Sequence, residues 1–384
     1  MALPAFGARA TGPRLERMQA SPQWRDGHFH DPVPRGAPSV YGYLRRQIGW
    51  AAISDWLFRG SKHRIPHEPV TYLERSKEEF DAEPRSGLRL TWLGHSTMLL
   101  ELDGVRLLTD PVLNAFAGPM QVMGQRRFFP SPMAVDALPE TDLVVLSHDH
   151  YDHLDYPTIL ALAKTRAKFI APLGVGAHLE AWGIEPARIT ELDWWEEHRF
   201  RGLTLTATPA RHFSGRGVTD LEHTLWAGIA IAGSKHRVFY SGDTAMFPGL
   251  TDIGRRLGPF DITLIEAGAY SRHWADIHLG PEQAVDAHRM VLGDVMVPVH
   301  WGLFDLAMHG WTEPIERVLV AGQKHGTRVA TPRPGESFEL DGPLPSQRWW
   351  PDLPWETAEE SPIVSTGMGE TGVGLLELDG VGEE

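Results

Sequence analysis

SHDHYDHLD, residues 147–155, places His148, His150, Asp152 and His153 within six positions. The run before it, DLVVL at 142–146, is short, apolar and rich in branched residues, as a buried strand is. A turn at the end of such a strand can splay successive side chains around one point. A straight strand cannot do so, and one face of a helix cannot hold four ligands so close in sequence. Imidazole and carboxylate are good ligands for zinc and similar divalent ions. The stretch therefore reads as half of a metal site at a strand end.

The other half should come from other strand ends, and three residues qualify. His212 follows LTLTATPAR, Asp243 follows RVFYSG and His300 follows VMVPV. Any one of them alone reads as readily as a structural residue. Together, in this order after HxHxDH, they form a specific pattern. The intervening chain supports it. LRLTWLGHSTMLLEL and GVRLLTDPV read as opening strands joined by the turn Asp103-Gly104. Further strand-like runs are AKFIAPL, WAGIAIAG and ITLIEAG. Helical segments are expected near 155–165, 174–182, 249–257, 281–292 and 312–325. Adjacent opening strands imply antiparallel pairing, and the later alternation implies sheets covered by helices.

Residues 1–85 read as an N-terminal extended arm and an amphipathic helix, 86–342 as the catalytic domain and 343–384 as an irregular acidic tail. The helix is expected over 40–58, with Leu44, Ile48, Ala51, Ala52 and Trp56 at helical spacing and Arg45, Arg46 and Arg59 beside them. Two readings stay open: a helix packed on the main domain, or a basic amphipathic surface that touches membrane or lipid substrate. Trp349, Trp350 and Trp355 are candidates for docking the tail on the body.

The bulk composition narrows the function. The net charge is −14, with 36 basic and 50 acidic residues, which argues against a nucleic-acid partner. There is no cysteine, so any metal is held by nitrogen and oxygen, and 19 histidines suit that. The chain shows neither a signal-peptide pattern nor a run of about 20 apolar residues, so a cytoplasmic protein is expected, membrane-associated if the basic helix touches lipid.

With these residues in place, the chain resembles the metallo-β-lactamase superfamily, and within it the N-acyl-phosphatidylethanolamine-hydrolysing phospholipase D group. The resemblance spans about 30–340 and is carried by TWLGHST, LLTDPV, SHDHYDHLDY, ELDWWEE, FYSGDTA, GPFDITLIEAGAY, HLGPEQAVDAH and VHWGLF. It implies an α/β fold, a four-layer αββα sandwich with the site at one edge. It also implies two divalent ions, zinc foremost: His148, His150 and His212 on one, Asp152, His153 and His300 on the other, Asp243 bridging. Absent cysteine and the bridging Asp243 depart from true β-lactamases.

Asp110, in LLTDP, reads as a partner that orients a ligand histidine, or as a turn residue before Pro111. His278, before an expected helix start at Pro281, lines the pocket and meets the scissile group in the resembling family; a surface loop histidine is the plainer reading. His95 reads as structural. Trp194 and Trp195 read as core or loop anchors, and Tyr270, Trp274 and Trp301 as pocket-wall candidates. The expected activity is hydrolysis of a small-molecule or lipid phosphodiester, with N-acyl-phosphatidylethanolamine or a similar diester as substrate, or else of a lactone or other carboxylic ester. Two cations about 3.5–4 Å apart can share a hydroxide at neutral pH. Asp152, Asp243 and His278 are the catalytic candidates: Asp152 to accept a proton, Asp243 to hold the ions' spacing, His278 to donate a hydrogen bond to the substrate oxygen or to protonate the leaving oxygen.

Overall fold

A computed structural model describes residues 3–35, 42, 54–55, 60–120 and 123–368. The amphipathic helix expected over 40–58 lies outside the described residues, apart from Gly42, Ser54 and Asp55.

Two seven-stranded sheets dominate. The first contains β1 (Leu88–Gly94), β2 (Thr97–Leu102), β3 (Val105–Thr109), β4 (Leu143–Val145), β5 (Lys168–Pro172) and β6 (Ile189–Leu192). The second contains β7 (Glu197–Phe200), β8 (Leu203–Thr208), β9 (Gly228–Ala232), β10 (Arg237–Tyr240), β11 (Phe260–Glu266), β12 (Gly293–Val299) and β13 (Arg328–Val329). A late strand, β14 (Ser337–Glu339), returns to pair with β1, so the first sheet runs β6-β5-β4-β3-β2-β1-β14 and the second β7 to β13 in sequence order.

The two sheets share one plan. In each, antiparallel strands come first, β1-β2-β3 and β7-β8-β9-β10, with the long loop between β8 and β9 carrying His212, and a parallel run follows, β3-β4-β5-β6 and β10-β11-β12-β13. Parallel neighbours need crossovers. Most of these are helical: α2 (Tyr156–Ala163) and α3 (Gly176–Ala181) on the first sheet, α4 (Gly249–Leu257), α5 (Pro281–Met290) and α6 (Glu313–His325) on the second. Alternation along the strands sorts the side chains into layers. Leu107, Val145, Val238 and Tyr240 face the core between the sheets. Their neighbours Leu108 and Val144 pack with Ile159 and Leu162 of α2. Phe239 packs with Leu250, Ile253 and Val285 of α4 and α5. This is the four-layer αββα sandwich.

The N-terminal arm differs from the extended segment expected. Gly12–Gln19 forms a helix, α1, with Pro13 in its first turn, and Trp24–Arg25 pairs with His28–Phe29. The helix escapes notice in the sequence because it has two turns and few apolar residues. Its Arg14 is bound by Glu180 and Glu191, and Phe29 is fully buried, so the arm is part of the body. In the tail, Trp350 is buried and Trp349 packs against Trp92 and Trp301, whereas Trp355 lines a cavity. Among the described residues, no helix is long and apolar enough to cross a membrane.

Candidate metal centre

The carboxyl ends of the parallel strands meet at one edge of the sandwich, where such folds place ligands. His148, His150, Asp152 and His153 leave the end of β4, His212 follows β8, Asp243 follows β10 and His300 follows β12. All seven residues expected from the sequence come together. Backbone geometry sharpens the turns. Asp110 and His300 have positive φ. Gly242, at φ 57°, lets the chain pass before Asp243; a Cβ there would sit 2.8 Å from the Ser147 side chain and 2.9 Å from the Ala227 carbonyl.

The residues form two adjoining groups. In one, His148 Nε2 lies 2.8 Å and His212 Nε2 3.2 Å from His150 Nδ1. In the other, His300 Nε2 lies 3.1 Å from His153 Nε2 and 3.3 Å from Asp152 Oδ2. Asp243 Oδ2 sits between them, 3.1 Å from His300, 3.2 Å from His153, 3.7 Å from His212 and 3.9 Å from His148.

Outer partners fix which nitrogen three of the rings turn inward. His212 donates Nδ1–H to the Ile277 carbonyl at 2.9 Å, and His153 donates Nδ1–H to Asp110 Oδ2 at 2.6 Å. His148 Nδ1 meets Ser147 Oγ at 2.9 Å. Asp110 is fully buried and also accepts from the Ser147 amide at 2.7 Å, the Ser147 hydroxyl and the Tyr240 hydroxyl. It therefore holds His153 and, through Ser147, His148.

The two groups differ in charge. Burial holds His148 and His212 well below the usual imidazole range, and lowers His150 as well. These are neutral rings with lone pairs to offer. In the other group, burial alone would lower the histidines. Asp243 and Asp152 overcome it, raising His153 well above its usual range and His300 to about 10. The two carboxylates, which burial would raise, are held well below theirs by His153 and its neighbours.

The donor set fits divalent cations. Three imidazole nitrogens in the first group, and imidazole nitrogens with the Asp152 carboxylate in the second, lie within 4.8 Å of one another. Asp243 Oδ1 is buried and has no hydrogen-bond partner among the described residues, a costly state that a cation relieves.

His278 lies beside these groups, with its ring 5.0 Å from His212 and 5.2 Å from His300. Its side chain is 13% exposed, where those of His148, His212 and His300 are at most 1%. Tyr270 stacks on His309 and lines a cavity of about 630 Å³. Trp274 is half-buried beside Ile277 and Phe213. Trp301 belongs to the core, stacked on Trp92, because its strand-end position turns the indole back between the sheets. Trp194 is an anchor, donating to the Trp226 carbonyl, and Trp195 lies under Arg256.

Three residues were missed or underweighted. His95, read as structural, places Nε2 2.9 Å from Asp152 Oδ2 and packs against His300, with ring centres 4.0 Å apart and the planes tilted by 40°. Its burial lowers it to about 3, so it is a neutral donor that orients Asp152. Asp149, inside the motif, turns away and accepts from His178, Thr224 and the Gly215 amide, bracing the turn from behind. Glu266, at the end of β11, accepts from His278. Its signal was a lone acid closing the apolar run ITLIE.

Residues 105–301 match the beta-lactamase superfamily domain. The chain is similar to an uncharacterized protein of Mycobacterium tuberculosis, 44% identical over 90% of this chain and 91% of that one. It is similar to N-acyl-phosphatidylethanolamine-hydrolyzing phospholipase D 1 of Caenorhabditis elegans, 37% identical over 75% of this chain and 86% of that one. Among solved structures it resembles Igni18, a metallo hydrolase from Ignicoccus hospitalis, with a TM-score of 0.51 and 25% identity over 66% of this chain and 99% of that one.

Proposed function

The chain belongs to the beta-lactamase superfamily, as a metal-dependent hydrolase of the metallo-β-lactamase fold, and from that premise we propose that it is a binuclear, zinc-dependent phosphodiesterase of phospholipase D type. Its substrate in this reading is N-acyl-phosphatidylethanolamine or a diester of similar build. His148, His150 and His212 would hold one ion, Asp152, His153 and His300 the other, and Asp243 both. The ions, when bound, supply Lewis acidity, making water more acidic and neutralising the charge that grows on the scissile phosphoryl group.

The chain's own groups handle the protons. Asp152, with 17% of its side chain exposed, accepts a proton from the attacking water. The water oxygen bonds to phosphorus as the bond from phosphorus to the leaving alcohol breaks. The electron pair stays on the alcohol oxygen, and Nε2–H of His278 protonates it. The observation that carries this reading is the place of His278. It is a partly exposed imidazole between His212 and His300 whose other nitrogen is held by a carboxylate. The relative at 37% identity, named for cleavage of this lipid, supports the substrate class.

Mass spectrometry of products from vesicles containing N-acyl-phosphatidylethanolamine tests it, with a lactone and a carboxylic ester run in parallel. The expected products are an N-acylethanolamine and phosphatidate. Turnover of the lactone or ester alone would overturn the phosphodiesterase reading. Elemental analysis should give two zinc equivalents per chain, and a reproducible value of one or less after reconstitution would overturn the binuclear reading.

A further inference from the structure

Glu266 closes β11, a strand whose other residues are mostly apolar, and its side chain is fully buried. Oε1 accepts the Thr244 amide at 2.7 Å and the Leu279 amide at 3.1 Å. Oε2 accepts Nδ1–H of His278 at 2.8 Å. Thr244 follows Asp243, and Leu279 follows His278. One carboxylate thus ties together the two loops that carry the proposed bridge and the proposed proton donor.

Asp243 Oδ2 lies 3.9 Å from the same Nδ1, so two carboxylates face one ring N–H and the nearer holds it. Asp243, Glu266, His278 and His300 converge closely enough to suggest ligands of one ion. Yet both Glu266 oxygens already serve protein donors, two of them backbone amides that no side-chain rotation releases. Without Glu266, the His278 N–H would turn to Asp243, engaging the carboxylate between the ion sites and swinging Nε2 away from the substrate.

We propose that Glu266 is the positioning residue of the reaction: its buried carboxylate holds His278 by Nδ1 so that Nε2–H is presented to the leaving-group oxygen. This rests on the proton-donor role given to His278 above. The proton on Nδ1 stays with the Glu266 contact, the Nε2 proton moves to the leaving oxygen, and solvent restores it. In Glu266→Gln the amide oxygen can keep the two backbone donors, so the amide N–H₂ faces Nδ1. That contact requires a lone pair on Nδ1, and the doubly protonated ring loses its acceptor.

The test compares two phosphodiesters with the same phosphoryl half, one with an alkyl alcohol as leaving group and one with 4-nitrophenol, which departs without a proton. Glu266→Gln and His278→Ala should each lose on the order of 100-fold on the alkyl substrate, the range of general acid catalysis, and less than about 5-fold on the nitrophenyl one. The double variant should be no slower than either single one, and zinc content should stay at the wild-type value. Equal losses on both substrates, additive losses or lost zinc would each overturn the proposal, the last by making Glu266 a ligand. If Glu266→Gln does not fold by circular dichroism, Glu266→Asp keeps the charge but shortens its reach, and the same leaving-group pattern is required of it. If the wild type cleaves carboxylic esters but neither diester, the phosphodiesterase reading fails on its own, and alkyl and nitrophenyl esters then decide the role of Glu266.

Discussion

The two halves of the centre are built from opposite chemistry. His148, His150 and His212 are uncharged donors packed against each other, and their ring contacts run from 4.5 to 5.1 Å. Asp152, His153 and His300 form a charged group in which carboxylates raise the imidazoles. A cation entering the first half displaces no proton from its rings. One entering the second meets imidazoles whose proton affinity the carboxylates raise, and it gains the field of those two carboxylates. In the binuclear reading proposed above, the difference means that the halves need not fill together, and that Asp243, lying close to both, would couple them.

Removing the coupling should have the largest effect. Asp243→Ala is expected to lower activity by at least about 100-fold, because in the binuclear reading it would unlink the two ions and leave their charges less compensated. Zinc titration followed by calorimetry should show weaker binding in both halves. Wild-type turnover with a full metal load would break the comparison by showing that Asp243 joins nothing.

A smaller, one-sided effect is expected at Asp110. It grips His153 directly at 2.6 Å, whereas it reaches His148 only through Ser147. Asp110→Asn should weaken the ion in the carboxylate half about 10- to 100-fold, the usual cost of losing an outer partner, and weaken the histidine half less. Equal weakening of both ions would show that the halves are one unit.

These contrasts were only partly legible in the sequence. The motif at 148–153 was readable because four ligand types fall within six positions, and His212, Asp243 and His300 because each follows a strand-like run that became β8, β10 or β12. The four-layer sandwich was implied by the family resemblance, while the runs themselves indicated only paired strands and sheets covered by helices. Strand β14 was not readable: three residues far along the chain gain strand form only by pairing with β1. Strands β6 and β7 hid in the mixed polar text around ELDWWEE. His95 read only as structural, and Glu266 showed only as a lone acid closing an apolar run. Their roles arise where burial strips them of water and where a turn aims them at Asp152 and His278, which only the assembled sheets define.

Acid titration would sharpen the comparison of the halves only if groups outside the centre are separated from it, and His288 is one such group. It sits on α5, 2% exposed, with Nδ1 2.7 Å from the Thr263 hydroxyl on β11. Burial depresses it to about 4, with Asp294 opposing and Arg289 reinforcing the shift. The ring is therefore neutral in the fold, whereas the unfolded chain takes up a proton near pH 6.5. A depressed histidine contributes stability that is fully present above the unfolded value and is lost as pH falls through the folded one. The window is about pH 6.5 to 4, and the most that can be lost there is about 3 kcal/mol. His288→Gln keeps a partner for Thr263 but does not titrate. Metal-free wild type and variant, melted at pH 7 and at pH 4.5, should therefore converge: the variant is less stable at pH 7 through poorer packing, and the gap narrows or reverses at pH 4.5. A gap that stays constant across the window would mean that His288 is not the acid-sensitive group, and the whole acid response would then return to the two halves of the centre.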